Sequence, residues 1–258
     1  IHRIAEAMKR TFADLFAYLG DADFVTVPVA RLISRSHGEE TGKSINLQKA
    51  TAAADIGRGD TRWTESDETT HFSVVDRFGN GVSSTYTLNG NFGNGRIVEG
   101  AGFLLNNEMD NFNLRPGKVN GAGYTESYAN AIARGKRMLT AMSPTIVTKD
   151  GNLFLVTGSP GSSRIISTNV QVIMNVVDHG MNIQEAVNAP KVHHEWLPDE
   201  LRLEKGVSPD TTEILSKMGH AVRVRGPRGA SSTVMVDPKS GMRYGATDSR
   251  REGLAMGY

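Results

Sequence analysis

The sequence contains no cysteine among its 258 residues. Disulfide bonds, thiolate metal sites and a cysteine nucleophile are therefore excluded, while the redox state of the compartment is left open. An excess of charge of one sign is also missing, because 29 Lys and Arg stand against 28 Asp and Glu, for a net charge of +1. This balance gives no electrostatic reason to expect nucleic acid or an anionic membrane as a partner. A small neutral or locally charged ligand is the expected partner.

Long apolar runs are absent as well, so the sequence predicts no membrane span. With 38% hydrophobic residues, the chain can form one large core or two smaller ones, as expected of a soluble globular protein. The sequence starts at Ile1 without a signal-peptide pattern, and we expect this start to be a truncation or a processing point.

The spacing of apolar residues predicts helices in the first part of the chain. Residues 1–20 carry apolar side chains at helical spacing, and Gly20 is the expected cap of this amphipathic helix. Between residues 21 and 67 the pattern weakens into short helical pieces. It ends in a polar segment, residues 57–68, which we interpret as a surface linker that a protease could reach.

After this linker the apolar period becomes two, which is typical of strands. The segments HFSVVD and GVSSTYTL flank the turn residues RFGN, and Asp150-Gly151 marks the turn of a second hairpin. Two further helices are predicted by a capping box at Asn182 and Glu185 and by Pro209 in a first helical turn. Three strands, AVRVRG, SSTVMVD and MRYGATD, close the chain. Antiparallel strands with helices outside them predict an α+β layered sandwich.

Several short motifs have a structural interpretation. The segment GSPGSS, residues 158–163, joins a predicted strand to a predicted helix, and backbone N–H groups at such a helix start can hold an anion or a developing oxyanion. A tight turn explains this motif by itself.

His193 and His194 are neighbours on an extended chain and point to opposite faces, so we interpret both as structural and predict no metal site. Trp63 and Trp196 are interpreted as packing residues.

Thr69 and Thr70 stand where the polar linker gives way to the first predicted strand. A threonine hydroxyl is a poor nucleophile until a base takes its proton, and the most economical base is the residue's own α-amine after the preceding bond is cut. Thr69 meets this requirement, because cleavage after Glu68 would leave the new amino end anchored in the sheet. A Thr-Thr pair alone is a weak indication, since polar residues open many strands.

Longer motifs support the catalytic interpretation of Thr69. In order they are TTHFSVVDRFGNGVSSTYTLNGNFGNG, GFLLNNEMDNF, MSPTIV, GSPGSSRI, NAPKVHHEWLPDELRLEKG and YGATDSR. Together they resemble the γ-glutamyltransferase family, also called γ-glutamyltranspeptidase or glutathione hydrolase, over almost the whole chain. The resemblance implies an αββα four-layer sandwich of the N-terminal nucleophile hydrolase type, only partly covered by this chain. It also implies a self-cleaving precursor, with residues 1–68 ending the large subunit and residues 69–258 forming the small one.

The resemblance further implies roles for particular residues. Thr69 would be the nucleophile, released by cleavage of the Glu68–Thr69 bond, and Thr87 would donate a hydrogen bond that orients it. The backbone N–H groups of Gly161 and Ser162 would form an oxyanion hole. The remaining residues would meet the amino-acid head of a γ-glutamyl group: Asn89, Glu108 and Asn111 its α-amine, and Thr140 and Ala141 its α-carboxylate.

The sequence departs from the family pattern at some of these positions. Asn111 stands where an acid is usual, Thr140-Ala141 replaces the usual Ser-Ser, and Ser162 replaces a glycine. Ser162 is compatible with an oxyanion hole made by backbone groups, provided that the backbone there does not require a positive φ. The resemblance also implies an N-terminal part of the large subunit that is missing from this sequence and would be its partner, with an arginine that in the family pairs with the substrate carboxylate.

Three functions remain open on this basis. The first is transfer of a γ-glutamyl group, from an amide such as glutathione to water or an amine, through a threonine acyl-enzyme without any cofactor. The second is an amidase that prefers glutaryl-type side chains, as in the cephalosporin acylases related to this family. The third is an unprocessed or truncated chain that binds ligands without catalysis. The resemblance also implies a periplasmic or secreted location.

Overall fold

The computed structural model describes residues 1–57, 68–118, 127–227 and 229–257, with the backbone alone at Glu68. The predicted linker therefore lies outside the described residues, apart from its two ends, and so does Trp63. Among the residues that are described, no helix is both long and apolar enough to cross a membrane.

The helices and strands follow the predicted order along the chain. The helices are α1 (His2–Tyr18), α2 (Val29–Leu32), α3 (Arg35–Lys43), α4 (Ala53–Ile56), α5 (Arg164–Val177), α6 (Ile183–Asn188) and α7 (Pro209–Lys217), with a 3₁₀ helix at Glu108–Asn111. The strands are β1 (Glu68–Val75), β2 (Gly81–Asn89), β3 (Thr145–Lys149), β4 (Asn152–Gly158), β5 (Val192–His193), β6 (Leu201–Glu204), β7 (Val222–Arg225), β8 (Ser232–Val236) and β9 (Arg243–Thr247). The predicted hairpins, capping box and closing strands are confirmed. Strands β5 and β6 are additions that the apolar pattern does not predict.

Two compact units are built from discontinuous parts of the chain. Unit 1 contains Ile1–Thr64, Glu108–Thr140 and Val192–Arg225, and unit 2 contains Glu65–Asn107, Ala141–Lys191 and Gly226–Tyr258. Unit 1 thus takes residues from both sides of the predicted cleavage site. The division of the covalent chain at Glu68–Thr69 stays a prediction.

In unit 1, helix α1 and helix α7 bury apolar residues with a three-stranded sheet. The core contains Ala5 of α1, Leu215 of α7, and Val192, Leu201 and Leu203 of the sheet. Strand β5 pairs antiparallel with β6, whereas β6 pairs parallel with β7. The β6–β7 pair differs from the predicted antiparallel arrangement. Helix α7 connects the two strands and returns the chain to the end of the sheet at which β6 begins, so β7 runs in the same direction as β6.

Gly20 has a different role from the predicted helix cap. Helix α1 ends at Tyr18, and its C-cap residue is Leu19, which has an extended backbone with φ −84° and ψ 138°. A Cβ atom on Gly20 would collide with the backbone carbonyl of Ala129. Glycine is therefore required here for a close approach of two backbone segments, and the sequence pattern around residue 20 carries no sign of the distant partner.

In unit 2, strands β3, β4, β8 and β9 form an antiparallel sheet in the order β3-β4-β8-β9. Helices α5 and α6 pack on one face, with Leu155 of β4 buried among Val172, Val176 and Val187. The β1–β2 hairpin lies on the other face, where the ring of His71 meets Gly158. Unit 2 therefore shows a helical layer and two β layers, which are three layers of the predicted sandwich.

Candidate active site

The β1–β2 hairpin places Thr69 directly opposite Thr87. The Thr69 hydroxyl donates to Thr87 Oγ1 at 3.4 Å, and the backbone N–H of Asn89 donates to the same oxygen at 2.9 Å. The pairing register is irregular between Glu68 and Thr69, and such irregularities re-aim the side chains next to them. The predicted scissile bond therefore coincides with a break in regular strand pairing.

The direction of the Thr69–Thr87 hydrogen bond is a correction to the sequence analysis. Thr87 is predicted to donate to Thr69, but in this structure the Thr69 hydroxyl is the donor. A hydroxyl both donates and accepts, and it changes role by rotating about its C–O bond. The two threonines are thus brought together as predicted, and loss of a proton from Thr69 would allow Thr87 to become the donor.

His71 is a residue that the sequence analysis missed. It follows Thr69 by two positions on the same face of β1, and its side chain is buried. The Ser73 hydroxyl donates to the Ser232 carbonyl, so it accepts from His71 Nε2 at 3.0 Å, and His71 Nδ1 accepts from Thr85 Oγ1 at 2.9 Å. Burial lowers the pKa of His71 to about 4, so the ring is neutral at neutral pH. The sequence does carry a sign of this role, because His71 shares one face of the predicted hairpin with Thr and Ser side chains.

The GSPGSS segment forms the turn between strand β4 and helix α5. The Ser159 hydroxyl accepts from the Ala230 N–H at 2.9 Å and donates to the Pro160 carbonyl at 2.6 Å, which fixes the start of the turn. Gly161 has φ 126° and Ser162 has φ 59°. Ser162 therefore adopts the left-handed backbone that favours glycine, so the proviso in the sequence analysis is not met. The serine nevertheless adopts this positive φ itself, so its backbone N–H stays a candidate oxyanion donor and the cost is strain. An L-residue pays roughly 1–2 kcal/mol for this conformation.

We expect Ser162→Gly to raise the melting temperature of the full-length protein by about 1–3 °C, because glycine adopts a positive φ without steric cost. The matched control is Ser163→Gly, since Ser163 has φ −53° and gains nothing from glycine. That control should lower the melting temperature through the added freedom of the unfolded chain. Thermal unfolding of both variants checks this, and a similar decrease for both would contradict strain at Ser162.

The predicted head-group residues fall in both units. Glu108, Asn111 and Thr140 belong to unit 1, whereas Asn89 and Ala141 belong to unit 2, as do Thr69, Thr87, Gly161 and Ser162. Asn89 ends strand β2 with φ 69°, and its Nδ2 donates to the Asn107 carbonyl at 3.3 Å. The Ala141 side chain is buried.

In unit 1, Glu108 and Asn111 form a buried pair on the 3₁₀ helix. Asn111 Nδ2 donates to Glu108 Oε2 at 2.5 Å, whereas Asn111 Oδ1 has no hydrogen-bond partner among the described residues. Burial raises the pKa of the Glu108 carboxyl, and the hydrogen bond from Asn111 counteracts part of that rise. The pair therefore contains one carboxylate that could bind a cationic group, that of Glu108, and the Asn111 amide holds this carboxylate by a hydrogen bond.

His2, Glu6 and His220 are the described residues that come near enough to hold a metal, with their ligand atoms within 4.8 Å of one another. His2 Nε2 donates to a backbone carbonyl, so His2 Nδ1 accepts from His220 Nε2 at 2.8 Å. Glu6 is already paired with Arg10 at 2.8 Å and with Lys9 at 3.2 Å. The positive charges of Lys9 and Arg10 beside Glu6 would repel a metal ion. The arrangement therefore fits a hydrogen-bonded cluster better than a metal site.

The adjacent histidines have protein partners. His193 packs edge-on against Phe12, with ring centroids 5.6 Å apart, and His194 Nε2 lies 3.2 Å from the Asp199 carboxylate. Trp196 is buried and donates from Nε1 to a backbone carbonyl at 2.8 Å, which confirms its predicted packing role.

The sequence matches the profile of the family described as gamma-glutamyltranspeptidase over residues 1–258. The chain belongs to this family. It is 48% identical over 256 residues to the glutathione hydrolase proenzyme of Escherichia coli, covering 99% of this chain and 44% of that protein. The chain thus spans about half the length of the curated relatives it matches.

Solved structures of the gamma-glutamyltranspeptidase family and of a related acylase share the fold. A gamma-glutamyltranspeptidase of Helicobacter pylori is 52% identical with a TM-score of 0.66, covering 70% of this chain and 100% of that one. A cephalosporin acylase from Bacillus halodurans is 27% identical with a TM-score of 0.82, covering 100% of this chain and 45% of that one. The α+β fold is accordingly of the N-terminal nucleophile hydrolase type. The individual site roles stay predictions.

Proposed function

We propose that this chain is part of a self-processed enzyme that transfers a γ-glutamyl group, from an amide such as glutathione, to water or an amine. The observation that carries the proposal is the position of Thr69. Its hydroxyl lies 3.4 Å from Thr87 Oγ1, directly after a break in strand register, in a chain of the gamma-glutamyltranspeptidase family. The Escherichia coli relative is named a proenzyme, which supports cleavage of a precursor.

In the proposed self-cleavage, the Thr69 hydroxyl attacks the carbonyl carbon of Glu68. The peptide C–N bond breaks as an ester forms, and the proton from the hydroxyl ends on the new α-amine. Water then hydrolyses the ester and frees the Thr69 hydroxyl. The products are a carboxyl end at Glu68 and an amino end at Thr69, which now carries its own base.

In the proposed transfer, the Thr69 α-amine takes the hydroxyl proton while Oγ1 attacks the γ-carbonyl of the substrate. The backbone N–H groups of Gly161 and Ser162 stabilise the oxyanion, and one such donor is typically worth about 10²–10³ in kcat. The leaving amine takes the proton as the C–N bond breaks, which gives an acyl-enzyme. Water or an acceptor amine then attacks the ester and restores Thr69.

Recognition of the substrate head follows from the charges in the proposed subsites. Glu108 supplies a carboxylate for the α-ammonium group, and Asn111 orients that carboxylate through the 2.5 Å hydrogen bond. Thr140 offers a hydroxyl to the α-carboxylate, while Ala141 has no polar side-chain atom to offer. The N-terminal large-subunit segment is the proposed partner, and the periplasmic or secreted location is a proposal that rests on the resemblance alone.

Intact-mass analysis of the full-length product, together with hydrolysis of a γ-glutamyl anilide, tests the proposed function. We expect two chains whose masses sum to the precursor plus one water, with Thr69 as a new amino end, and measurable hydrolysis. A protein that stays whole yet hydrolyses the anilide would contradict the N-terminal nucleophile mechanism. A whole and inactive protein would support the non-catalytic alternative.

A second candidate function is favoured by Asn111. An amide at this position leaves Glu108 as the one carboxylate among the residues proposed to meet the substrate ammonium, whereas a glutaryl head has no ammonium and loses nothing there. The Bacillus halodurans neighbour is named a cephalosporin acylase, which supports an amidase for glutaryl-type side chains as the alternative.

The ratio of two anilide activities distinguishes these candidates. Because loss of one partner of a buried charged pair costs about 2–5 kcal/mol, Asn111 should weaken the preference for the γ-glutamyl head. We expect kcat/KM for the γ-glutamyl anilide to exceed that for the glutaryl anilide by less than about a hundredfold, or roughly 2.7 kcal/mol. Asn111→Asp should widen the gap, although its carboxyl would share a proton with Glu108 until an ammonium group binds.

Asn113→Asp is the matched control for this ratio, because Asn113 is also buried but donates to the Ser127 carbonyl, at 2.9 Å. It should leave the ratio unchanged. If the unmodified enzyme prefers γ-glutamyl by several thousandfold and Asn111→Asp has no effect, position 111 lies outside the acyl pocket. The glutathione hydrolase function would then stand without the second candidate.

A further inference from the structure

Asn130 joins the two segments of unit 1 that carry predicted head-group residues. Its Nδ2 donates to the backbone carbonyl of Asn111 at 2.6 Å, and its Oδ1 accepts from the backbone N–H of Leu139 at 3.0 Å. Asn111 ends the 3₁₀ helix that begins at Glu108, and Leu139 directly precedes Thr140. A single planar amide therefore connects the segment with Glu108 to the segment with Thr140.

Asn130 is itself held firmly in place. Only 3% of the residue is exposed, and its backbone carbonyl accepts from the Asn113 N–H at 2.9 Å. Both bonds of its side chain go to backbone groups, so they fix the course of the main chain whatever side chains the two segments carry. Leaving a buried polar group without its hydrogen-bond partner is unfavourable, so displacement of either segment is resisted.

The α-amino acid head of a γ-glutamyl group carries its ammonium and carboxylate on one carbon atom. An enzyme that recognises both groups must hold its amine and carboxylate subsites at one separation, because binding groups that are misplaced by about 1 Å lose much of their effect. We propose that Asn130 is a positioning residue that sets this separation and so selects acyl donors that carry both charges. This inference rests on the proposed function, in which Glu108 meets the amine and Thr140 the carboxylate.

Four anilides separate the two charges of the acyl head: γ-glutamyl with both, glutaryl with the carboxylate, 4-aminobutyryl with the amine, and butyryl with neither. The coupling between the charges is the γ-glutamyl kcat/KM times the butyryl kcat/KM, divided by the product of the other two. We expect a coupling well above one in the unmodified full-length enzyme. Asn130→Leu should reduce this coupling by about tenfold or more and change butyryl hydrolysis little.

Asn113→Leu is the matched control, since it also removes a buried asparagine side chain, one that donates to the Ser127 carbonyl. It should keep the coupling within about twofold, because the Asn113 side chain donates to Ser127 rather than to the backbone next to Glu108 or Thr140. All assays use enzyme that electrophoresis shows to be processed. A variant-specific loss of coupling is a readout that general destabilisation would not produce.

Asn130→Asp provides a second variant if Asn130→Leu does not fold. It keeps the acceptor for the Leu139 N–H but loses the donor to the Asn111 carbonyl, so the γ-glutamyl and 4-aminobutyryl anilides should lose more activity than the glutaryl anilide. Equal losses on all four anilides would overturn the positioning role of Asn130 and leave the proposed function intact. Absence of coupling in the unmodified enzyme would overturn the head-group assignment and the role of Asn130 with it.

Discussion

Full-length protein carrying Thr69→Ala is expected to remain a single uncut and inactive chain, whereas Thr70→Ala is expected to cut normally. The Thr69 hydroxyl is the proposed attacking group in self-cleavage, and the same oxygen later carries the acyl group, so its removal eliminates both steps. Thr70 is exposed and pairs with Tyr86 on the other face of the hairpin. Denaturing electrophoresis and an anilide assay measure both effects.

Thr69→Ser tests whether the hydroxyl itself is required, because this variant keeps the hydroxyl and removes only a methyl group. This variant should cut at the same bond, more slowly if the methyl group helps to hold the rotamer. Cleavage of the Thr69→Ala protein at Glu68–Thr69 would show that another group attacks this bond. Loss of cleavage in Thr70→Ala would place the second threonine in the machinery and change the assignment of the nucleophile.

The position of Thr69 opposite Thr87 could be predicted in outline from the sequence. Alternation of polar and apolar residues on both sides of the RFGN turn indicates a hairpin, and a side-chain period of two puts Thr85 and Thr87 on one face. The structure confirms this hairpin and adds His71 to the same face. The catalytic meaning of Thr69 came from the resemblance, because nothing local distinguishes it from other threonines that open strands.

The remaining features depend on contacts between residues distant in sequence. Gly20 approaches the Ala129 carbonyl, and the Asn130 side chain bridges Asn111 and Leu139. No periodic pattern in the sequence predicts either contact. The parallel pairing of β6 with β7 likewise depends on the path of the connection, since both strands are short. The positive φ of Ser162 could not be predicted either, because serine seldom adopts it and only the geometry of the turn imposes it.

Thr87→Val is expected to lower kcat by roughly ten- to a thousandfold, the range for loss of one well-placed hydrogen bond in an active site. Valine keeps the shape of threonine and removes the Oγ1 atom that meets Thr69. The sequence alone predicts nearly unchanged folding, but the structure adds a cost. Because the Asn89 N–H donates to Thr87 Oγ1 at 2.9 Å, the variant should also lose about 1 kcal/mol of stability.

Thr85→Val is the control that separates the two effects of Thr87→Val. Thr85 is the next inward residue of β2, and its hydroxyl bonds to His71 Nδ1 at 2.9 Å rather than to Thr69. The same substitution there should lower the melting temperature by a similar amount, because it too removes one partly buried hydrogen bond, while kcat stays within about threefold. Stopped-time assays of processed enzyme and thermal unfolding compare the two variants. If Thr87→Val lowers the melting temperature sharply and keeps kcat, or if both variants lose kcat equally, the Thr87 hydroxyl supports the hairpin and does not orient the nucleophile.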